Sequence, residues 1–395
     1  MKRTYAYRLY PRRAERAALD VLLEQSREVY NAALAQCKAA YETTGKGQTG
    51  ISQCPYFRDW RKQPGILLNA SSLQQILRRL DKAYSAFFRR VKAGETPGHP
   101  RFKGRDRFNS LEYTYSDGAK LVYDEPLDRF VLYVQNVGNI KVKLHRFLPD
   151  DSQIKHVIIK RRASGWYVYL MLDCPDVETP PNGKPAVGVD MGLLRLLTLS
   201  DETQIDNPRW FRDALAELRV AQRRLARRMK GSQRRKKARG LLAKLHEHVA
   251  NMRRDFWHKV TTWLVRTYGL IVLEKLNLNF MLQNNRLALS AHDAGLGLFQ
   301  QLLDGKAANA GCHITLVNPA YTSQACSGCG AIVEKELSVR VHVCPECCLE
   351  LDRDLNAARN ILFLALNSAW IGPSGVKVSG CAVPSLRSSR LQPGE

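Results

Sequence analysis

CSGCGAIVEKELSVRVHVCPECCLELDRDLNAARN, residues 326–360, carries two different chemistries side by side. The first is a pair of C-x2-C knuckles, Cys326/Cys329 and Cys344/Cys347, with 14 residues between them. Each knuckle presents two thiolates, and the spacer suffices for a short hairpin, so the four sulfurs suit one tetrahedral zinc ion. A site closed by four protein ligands is structural rather than catalytic. Cys348, adjacent to Cys347, competes for the fourth position, and His342 is a weaker alternative. A redox dithiol would not need two paired knuckles. The second chemistry is the acid pair Asp352 and Asp354, ahead of the helical NAARNILF run. An acid at a helix start can act as the N-cap. Asp354 is preferred over Asp352 as a site residue because it lies closer to the helical run.

Two further acids stand at the ends of apolar runs. Asp190 ends the strand pattern PAVGVDMG, flanked by Gly188 and Gly192, and Glu274 ends LIVLE at 270–274. Glycines beside an acid let the backbone turn and a ligand approach. A single acid at a strand end is more often structural or solvated, and a cap accounts for one of the three. Three at element ends in one α/β region suit a different task. Phosphodiester cleavage needs an activated water on one side and a stabilised leaving oxygen on the other. Two divalent ions do both, and magnesium prefers carboxylate oxygens. Asp190, Glu274 and Asp354 are therefore candidate catalytic ligands for Mg²⁺ or Mn²⁺.

Around these motifs the chain divides. Residues 3–10 alternate as a strand, and a helical pattern with Leu19, Leu22, Leu23, Val29, Tyr30 and Leu34 follows. Residues 43–65 read as a loop. A helix runs from Ser71, a plausible cap, to Lys92, with Leu73, Leu77, Leu80, Tyr84, Phe87 and Val91 on one face and Arg78, Arg79, Lys82, Arg89 and Arg90 on the other. SLEYTY, FVLYVQ, IKVKLH, HVIIKRR and WYVYLML then suggest a small barrel or sandwich over 106–175, completed by 3–10, with the helices inserted into it. Residues 176–186 read as a linker. Beyond it, a hairpin at Asp190, helices over 212–268, the strand at 270–274, a helix at 292–311, ITLVN at 314–318 and a helix over 356–370 alternate, which is α/β. The tail after Gly372 reads as flexible.

The 395 residues carry 61 Lys and Arg against 37 Asp and Glu, a net charge of +24, which points to a polyanionic partner and to nucleic acid first. The charge concentrates at RVAQRRLARRMKGSQRRKKAR, 219–239, where eleven cations stand without an acid. Apolar positions flank the run at helical spacing, so it reads as a helical hairpin with a cationic tip, with nuclear localisation as the competing reading. Neither a transmembrane run nor a signal peptide is found. An intracellular setting favours metal ligation for clustered cysteines and buried thiols for Cys37, Cys54, Cys174, Cys312 and Cys381.

GVDMG, LEKLNL, CSGC…CPEC and DRDLNAARNI in that order resemble the TnpB (OrfB) family of bacterial insertion sequences, as do YRLYP, VYNAAL, PRFKGR and AQRRLARRMKGSQRRKKAR. The similarity spans about residues 1–366. It implies a multi-domain α+β and α/β protein. A wedge β-barrel (1–14 and 101–178) is interrupted by a helical recognition insert (15–100). An RNase H-like RuvC nuclease domain (179–320 and 351–370) follows, with an inserted zinc ribbon (321–350) and a tail (371–395). It further implies a compact RNA-guided DNA endonuclease related to type V CRISPR nucleases. Asp190, Glu274 and Asp354 would hold Mg²⁺, a transposon-end RNA would act as guide, and target double-stranded DNA would be read beside a short flanking motif. The DRD motif of the family puts catalysis on its second acid. Cys348 departs from the pattern, standing where the family usually has Gly. By position, Gln74, Gln75 and Arg78 are candidates for flanking-motif contacts, and Arg223, Arg224, Arg227, Arg228, Arg234 and Arg235 for nucleic-acid contacts. The alternatives are a transposase acting in DNA recombination and a regulator that binds without cutting. The expected setting is the prokaryotic cytoplasm, at the nucleoid when acting, with no membrane contact.

Overall fold

The computed structural model describes residues 1–105, 107–176, 179–336 and 339–367, which form two compact units, Met1–Asp176 and Val177–Glu395. In the first, β1 (Lys2–Tyr10) leads into α1 (Arg13–Thr44), α2 (Gly50–Arg61) and α3 (Ala70–Lys92). Then come β2 (Ser110–Thr114), β3 (Ala119–Asp124), β4 (Arg129–Val134), β5 (Gly138–Lys143), β6 (Gln153–Arg162) and β7 (Gly165–Asp173). The strands form one antiparallel sheet in the order β2-β6-β7-β1-β5-β4-β3. Alternation follows from the two-residue period of a strand: Trp166, Val168, Leu170 and Leu172 of β7 and Tyr7 and Leu9 of β1 are buried. They share one core with Leu19, Leu22 and Leu34 of α1 and Leu73, Leu77 and Leu80 of α3. The sheet keeps two edges, β2 and β3, so the expected barrel is a half-barrel.

Several local expectations need correction. Residues 43–65 are not all loop, because α2 lies within them: Thr49 and Ser52 form a capping box, Phe57 is buried, and the Gln53 amide donates to the Ala33 carbonyl. A polar surface conceals the helix from a hydrophobic pattern. The cap of α3 is Asn69, whose Oδ1 accepts from Ser72 N–H at 2.8 Å, while the Ser71 hydroxyl accepts from Thr114 N–H of β2. Strand β3 is additional to the strands expected from the sequence, and it pairs with β4 through a 3-10 turn at Glu125–Leu127.

The second unit runs β8 (Ala186–Met191), β9 (Arg195–Leu199), β10 (Gln204–Asp206), α4 (Trp210–Ala226), α5 (Gln233–Thr267) and β11 (Leu270–Glu274). It continues with α6 (Leu278–Gln283), α7 (Ala288–Ala294), α8 (Leu296–Ala310), β12 (His313–Val317), β13 (Val341–Val343), β14 (Glu350–Asp352) and α9 (Arg353–Asn367). Its sheet is ordered β10-β9-β8-β11-β12, with β8, β11 and β12 parallel and β8 to β10 antiparallel. Near-continuous apolar runs in β8 and β11 reflect burial on both faces. On one side Trp257 of α5 packs on Phe299 of α8, with ring centroids 4.7 Å apart. The helix expected over 292–311 is two, α7 and α8, separated by Gly295 at φ +66°.

The linker is partly tied down: the Asn182 side chain donates to the carbonyls of Tyr268 and Ala310, and Thr179 to that of Ala308. Residues 177 and 178 of that stretch, the last three residues of the helix expected over 356–370, and the expected tail at 371–395 lie outside the described residues. Among the described residues, no helix is long and apolar enough to cross a membrane.

Helix α9 packs directly on β8 through Gly188. A Cβ at that glycine would stand 2.1 Å from the Ala358 carbonyl oxygen and 2.7 Å from the Leu362 nitrogen. Its small size serves helix–strand contact rather than the ligand approach expected of it. Gly188→Ala should therefore destabilise the second unit by about 1–3 kcal/mol or more, the cost of overpacking a tight contact. Urea unfolding monitored by tryptophan fluorescence measures the loss.

Candidate functional site

Asp190 lies near the end of β8, and Glu274 ends the neighbouring parallel strand β11. Both therefore project from the same edge of the sheet. Asp354 is in the first turn of α9, the helix that Gly188 holds against β8. The three acids line one open cavity of about 620 Å³, together with Arg209, Arg212, Arg340 and Arg353. Sequence reasoning placed the acids at element ends. Arg353 stands beside Asp354 in the chain, whereas Arg209, Arg212 and Arg340 belong to other segments, and no local pattern marked those three as neighbours of the acids.

The competition between Asp352 and Asp354 resolves by hydrogen bonding. Asp352 Oδ1 accepts from the N–H groups of Asp354 at 2.9 Å and Leu355 at 3.3 Å, so it is Asp352 that caps α9. Its other oxygen takes the Arg195 guanidinium at 2.7 Å. Against the effect of burial, that guanidinium and those N–H donors hold Asp352 below the usual carboxylate range. Asp354 is not the cap expected of it. Its Oδ1 meets Arg353 at 3.3 Å and Arg340 at 3.8 Å, contacts that a cation or a phosphate could exchange.

Electrostatics sets these acids apart. Burial, then the like charges of Glu274 and Asp354, push Asp190 up to about 8 against the opposing pull of Arg353. Burial also raises Glu274, and the Thr322 hydroxyl, which donates to its Oε1, works the other way. Hard carboxylate oxygens lining one cavity are donors of the kind a divalent cation takes, but the three acids are not gathered within 4.8 Å of one another.

The second constellation is denser. Cys326, Cys329, Cys344 and Cys347 place their sulfurs within 4.8 Å of one another, the one such group of metal-type donors among the described residues. The Cys326–Cys347 and Cys329–Cys344 sulfurs are 3.6 and 3.5 Å apart, and Gly328 N–H points at the Cys326 sulfur at 3.4 Å. Strands β13 and β14 pair antiparallel on either side of the second knuckle, so the hairpin encloses Cys344 and Cys347 rather than lying in the spacer between the knuckles as expected. Cys348 is outside the group and exposed, with φ at +56°, a left-handed conformation that glycine adopts without strain. His342 is also outside: it is fully buried, and its Nδ1 contacts Lys335 Nζ. Of the scattered cysteines, Cys37, Cys174 and Cys312 are buried and Cys54 is half-buried, while Cys381 lies outside the described residues.

The basic run is a helical hairpin, α4 to α5. Arg223, Arg224, Arg227 and Arg228 line one cleft of about 440 Å³. Arg224, Arg228, Arg234 and Lys237 line an adjoining one of about 380 Å³. Arg235 differs, since its guanidinium donates to the carbonyls of Leu225 and Arg228 and closes the end of α4. In the first unit Gln74 and Arg78 are exposed beside a small cavity, whereas Gln75 is 5% exposed and its amide faces Thr114. Burial takes Gln75 off the contact face expected of it.

Two outcomes follow from this geometry. In chelator, Asp190→Asn should raise the melting temperature of the metal-free protein by several degrees. An acid whose folded pKa is raised contributes stability at low pH that is lost as pH rises toward about 8. The gap between variant and wild type should therefore widen from about pH 4 to pH 8 and then level. At the four cysteines, Cys347→Ser should lose bound metal, while Cys348→Gly should keep it and be as stable or slightly more so, because relief of a left-handed conformation costing about 1–2 kcal/mol offsets glycine's extra chain entropy of about 0.5–1 kcal/mol. Elemental analysis and thermal melts check both.

Comparison with known proteins places this geometry. Residues 169–285 match a family described as "Probable transposase", the OrfB family of IS605. Residues 297–361 match a "Cas12f1-like, TNB domain", and 1–46 a "Helix-turn-helix domain", although those residues here form β1 and α1. A protein of Streptomyces pristinaespiralis named "Putative RNA-guided DNA endonuclease" is 34% identical over 99% of this chain and 94% of its own length. InsQ of Escherichia coli K12, given the same description, is 29% identical over 92% of each chain. A solved Cas12f1–sgRNA–target DNA complex shares the fold, with a TM-score of 0.61 at 17% identity, over 88% of this chain and 82% of the other. With the order of its motifs and its full-length relatives, the chain belongs to the TnpB (OrfB) family.

Proposed function

We propose that this protein is an RNA-guided DNA endonuclease that hydrolyses phosphodiesters at Asp190, Glu274 and Asp354, within an RNase H-like RuvC domain. One observation carries the reading: three carboxylates from β8, β11 and α9 line one cavity rimmed by arginines. The sheet order and the α9–β8 contact support the RuvC assignment. The first unit is read as the wedge with its helical recognition insert, and the four cysteines as a structural zinc ribbon. The relatives named as RNA-guided DNA endonucleases support a guide RNA and a double-stranded DNA target as partners. The setting proposed is the bacterial cytoplasm.

The three carboxylates would hold Mg²⁺ or Mn²⁺, which when bound supplies an activated water and stabilises the leaving oxygen. The residues of the chain do the rest. Asp190, protonated near neutral pH in the free protein, must give up its proton when a cation enters. Arg340 and Arg353, which contact Asp354, would be within reach of a phosphate bound there and keep their charge in all states. Arg209 and Arg212, at the start of α4, extend the positive rim along which a strand can lie. The arginines of the α4–α5 hairpin engage phosphates without reading bases.

Guide-loaded protein should linearise a plasmid that carries target and flanking motif. Alanine at Asp190, Glu274 or Asp354 should reduce cutting by several orders of magnitude while leaving target binding intact. Asp352→Asn should lose mainly stability. Cleavage that proceeds equally without RNA, or that survives Asp190→Ala, would sink the reading, and strand-transfer products would favour a transposase instead. Changing Arg223, Arg224, Arg227 and Arg228 to Gln should flatten the salt dependence of binding. The slope of log K against log salt should fall by about 0.9 per lost duplex contact, or about 0.7 on a single strand. Filter binding across a salt series measures it.

A further inference from the structure

The residues between the sheet and the cysteine knuckles form a strap that touches one of the acids, Glu274, and the helix that carries another, Asp354. Thr322 is 4% exposed, and its hydroxyl contacts Glu274 Oε1. The Thr322 carbonyl accepts from the Asn360 amide at 2.9 Å, and the same amide donates to the Ala325 carbonyl at 2.7 Å. One turn earlier, the Asn356 amide also donates to Ala325, while its Oδ1 accepts from Ser327 N–H, inside the first knuckle. Asn356 is fully buried and Asn360 is 8% exposed. Both belong to α9, two and six residues past Asp354.

We propose that Thr322 is a positioning residue for Glu274, held in register with Asp354 by Asn356 and Asn360. The inference rests on the reading of Glu274 as a metal ligand. A carboxylate can rotate, and a fixed donor on one oxygen leaves the other aimed at the cavity. The hydroxyl has a single proton to give. It lies between Glu274 Oε1 and the Pro319 carbonyl, 3.0 Å away, and an ionised carboxylate is the stronger acceptor. Because the strap is anchored on α9, the helix that carries Asp354 also sets the orientation of Glu274. The first knuckle, tied to the same asparagines, keeps the strap in place.

Thr322→Val keeps the side-chain shape and removes the hydroxyl, and Thr322→Ser keeps the hydroxyl. In the guide-loaded protein Thr322→Val should raise the Mg²⁺ concentration for half-maximal cleavage about tenfold, the usual size of losing a group that orients a metal ligand. Target binding and zinc content should not change. Mn²⁺ binding to guide-free protein, followed by electron paramagnetic resonance, should weaken by a similar factor, and Thr322→Ser should restore both. If the valine variant does not fold, Thr322→Ala, which removes atoms without adding bulk, should show the same shifts. Wild-type Mn²⁺ binding in the valine or alanine variant would overturn the proposal. So would a serine variant as weak as valine, or weakening accompanied by loss of zinc. Asp190→Ala run in parallel separates the two readings. If it still cuts, the assignment of the acids fails; if it is dead while Thr322→Val is unaffected, only the positioning role fails.

Discussion

Three carboxylates gathered at one cavity repel one another, and much of the second unit serves to hold them there. Left to itself, a chain would separate Asp190, Glu274 and Asp354 to spare the electrostatic cost. Parallel pairing of β8 and β11 fixes the first two at one sheet edge. The third arrives on a helix seated so closely on β8 that only a glycine fits beneath it. Arginines 340 and 353 sit against Asp354 and offset part of the repulsion, yet burial, and after it the charges of Glu274 and Asp354, still push Asp190 up to about 8. Structural stability is thus given up locally at the acids to which the proposed function assigns the chemistry, as is common where function demands strained charge.

The segment with the four cysteines contributes to that arrangement through hydrogen bonds to α9 as well as through its thiols. Its hairpin returns the chain from β12 to α9, and Asn356 and Asn360 bind the returning segment. A closed four-sulfur cluster makes such a return rigid in a region with few buried apolar residues, where Val341, Val343 and Ile332 remain exposed. Small modules without a core of their own depend on such cross-links.

What could be read directly from the sequence was local. The cysteine spacing marked Cys326, Cys329 and Cys344 with either Cys347 or Cys348 as a candidate metal cluster, and the strands ending at Asp190 and Glu274 were visible as apolar runs bounded by glycines or polar residues. The choice between Cys347 and Cys348 was not visible, because it depends on which backbone turns left-handed. Nor was the division of labour between Asp352 and Asp354, which share one motif but split capping from the cavity. Gln75 and Arg235 show the same boundary. Both sit in polar stretches that suggest contact with a partner, and both are used internally, because burial and the carbonyls within reach are set by neighbours far away in the chain. Helix α2 escaped notice since its stabilising features are a capping box and one buried phenylalanine, not a stripe. Composition indicated a polyanionic partner but could not say which cations face it.

The seat of α9 on β8 also has a bearing on how the protein is made. Residue 188 must wait for residues 358 and 362 before its side of the sheet is covered, a separation of about 170 positions. Such distant pairings form late, after the loop between them has been closed. During synthesis, Asp190 and Glu274 emerge long before Asp354, and the cavity has no third wall until the ribbon and α9 have left the ribosome. A protein with the chemistry proposed above would therefore complete its cutting site only once residues 353–367 have left the ribosome and docked on β8.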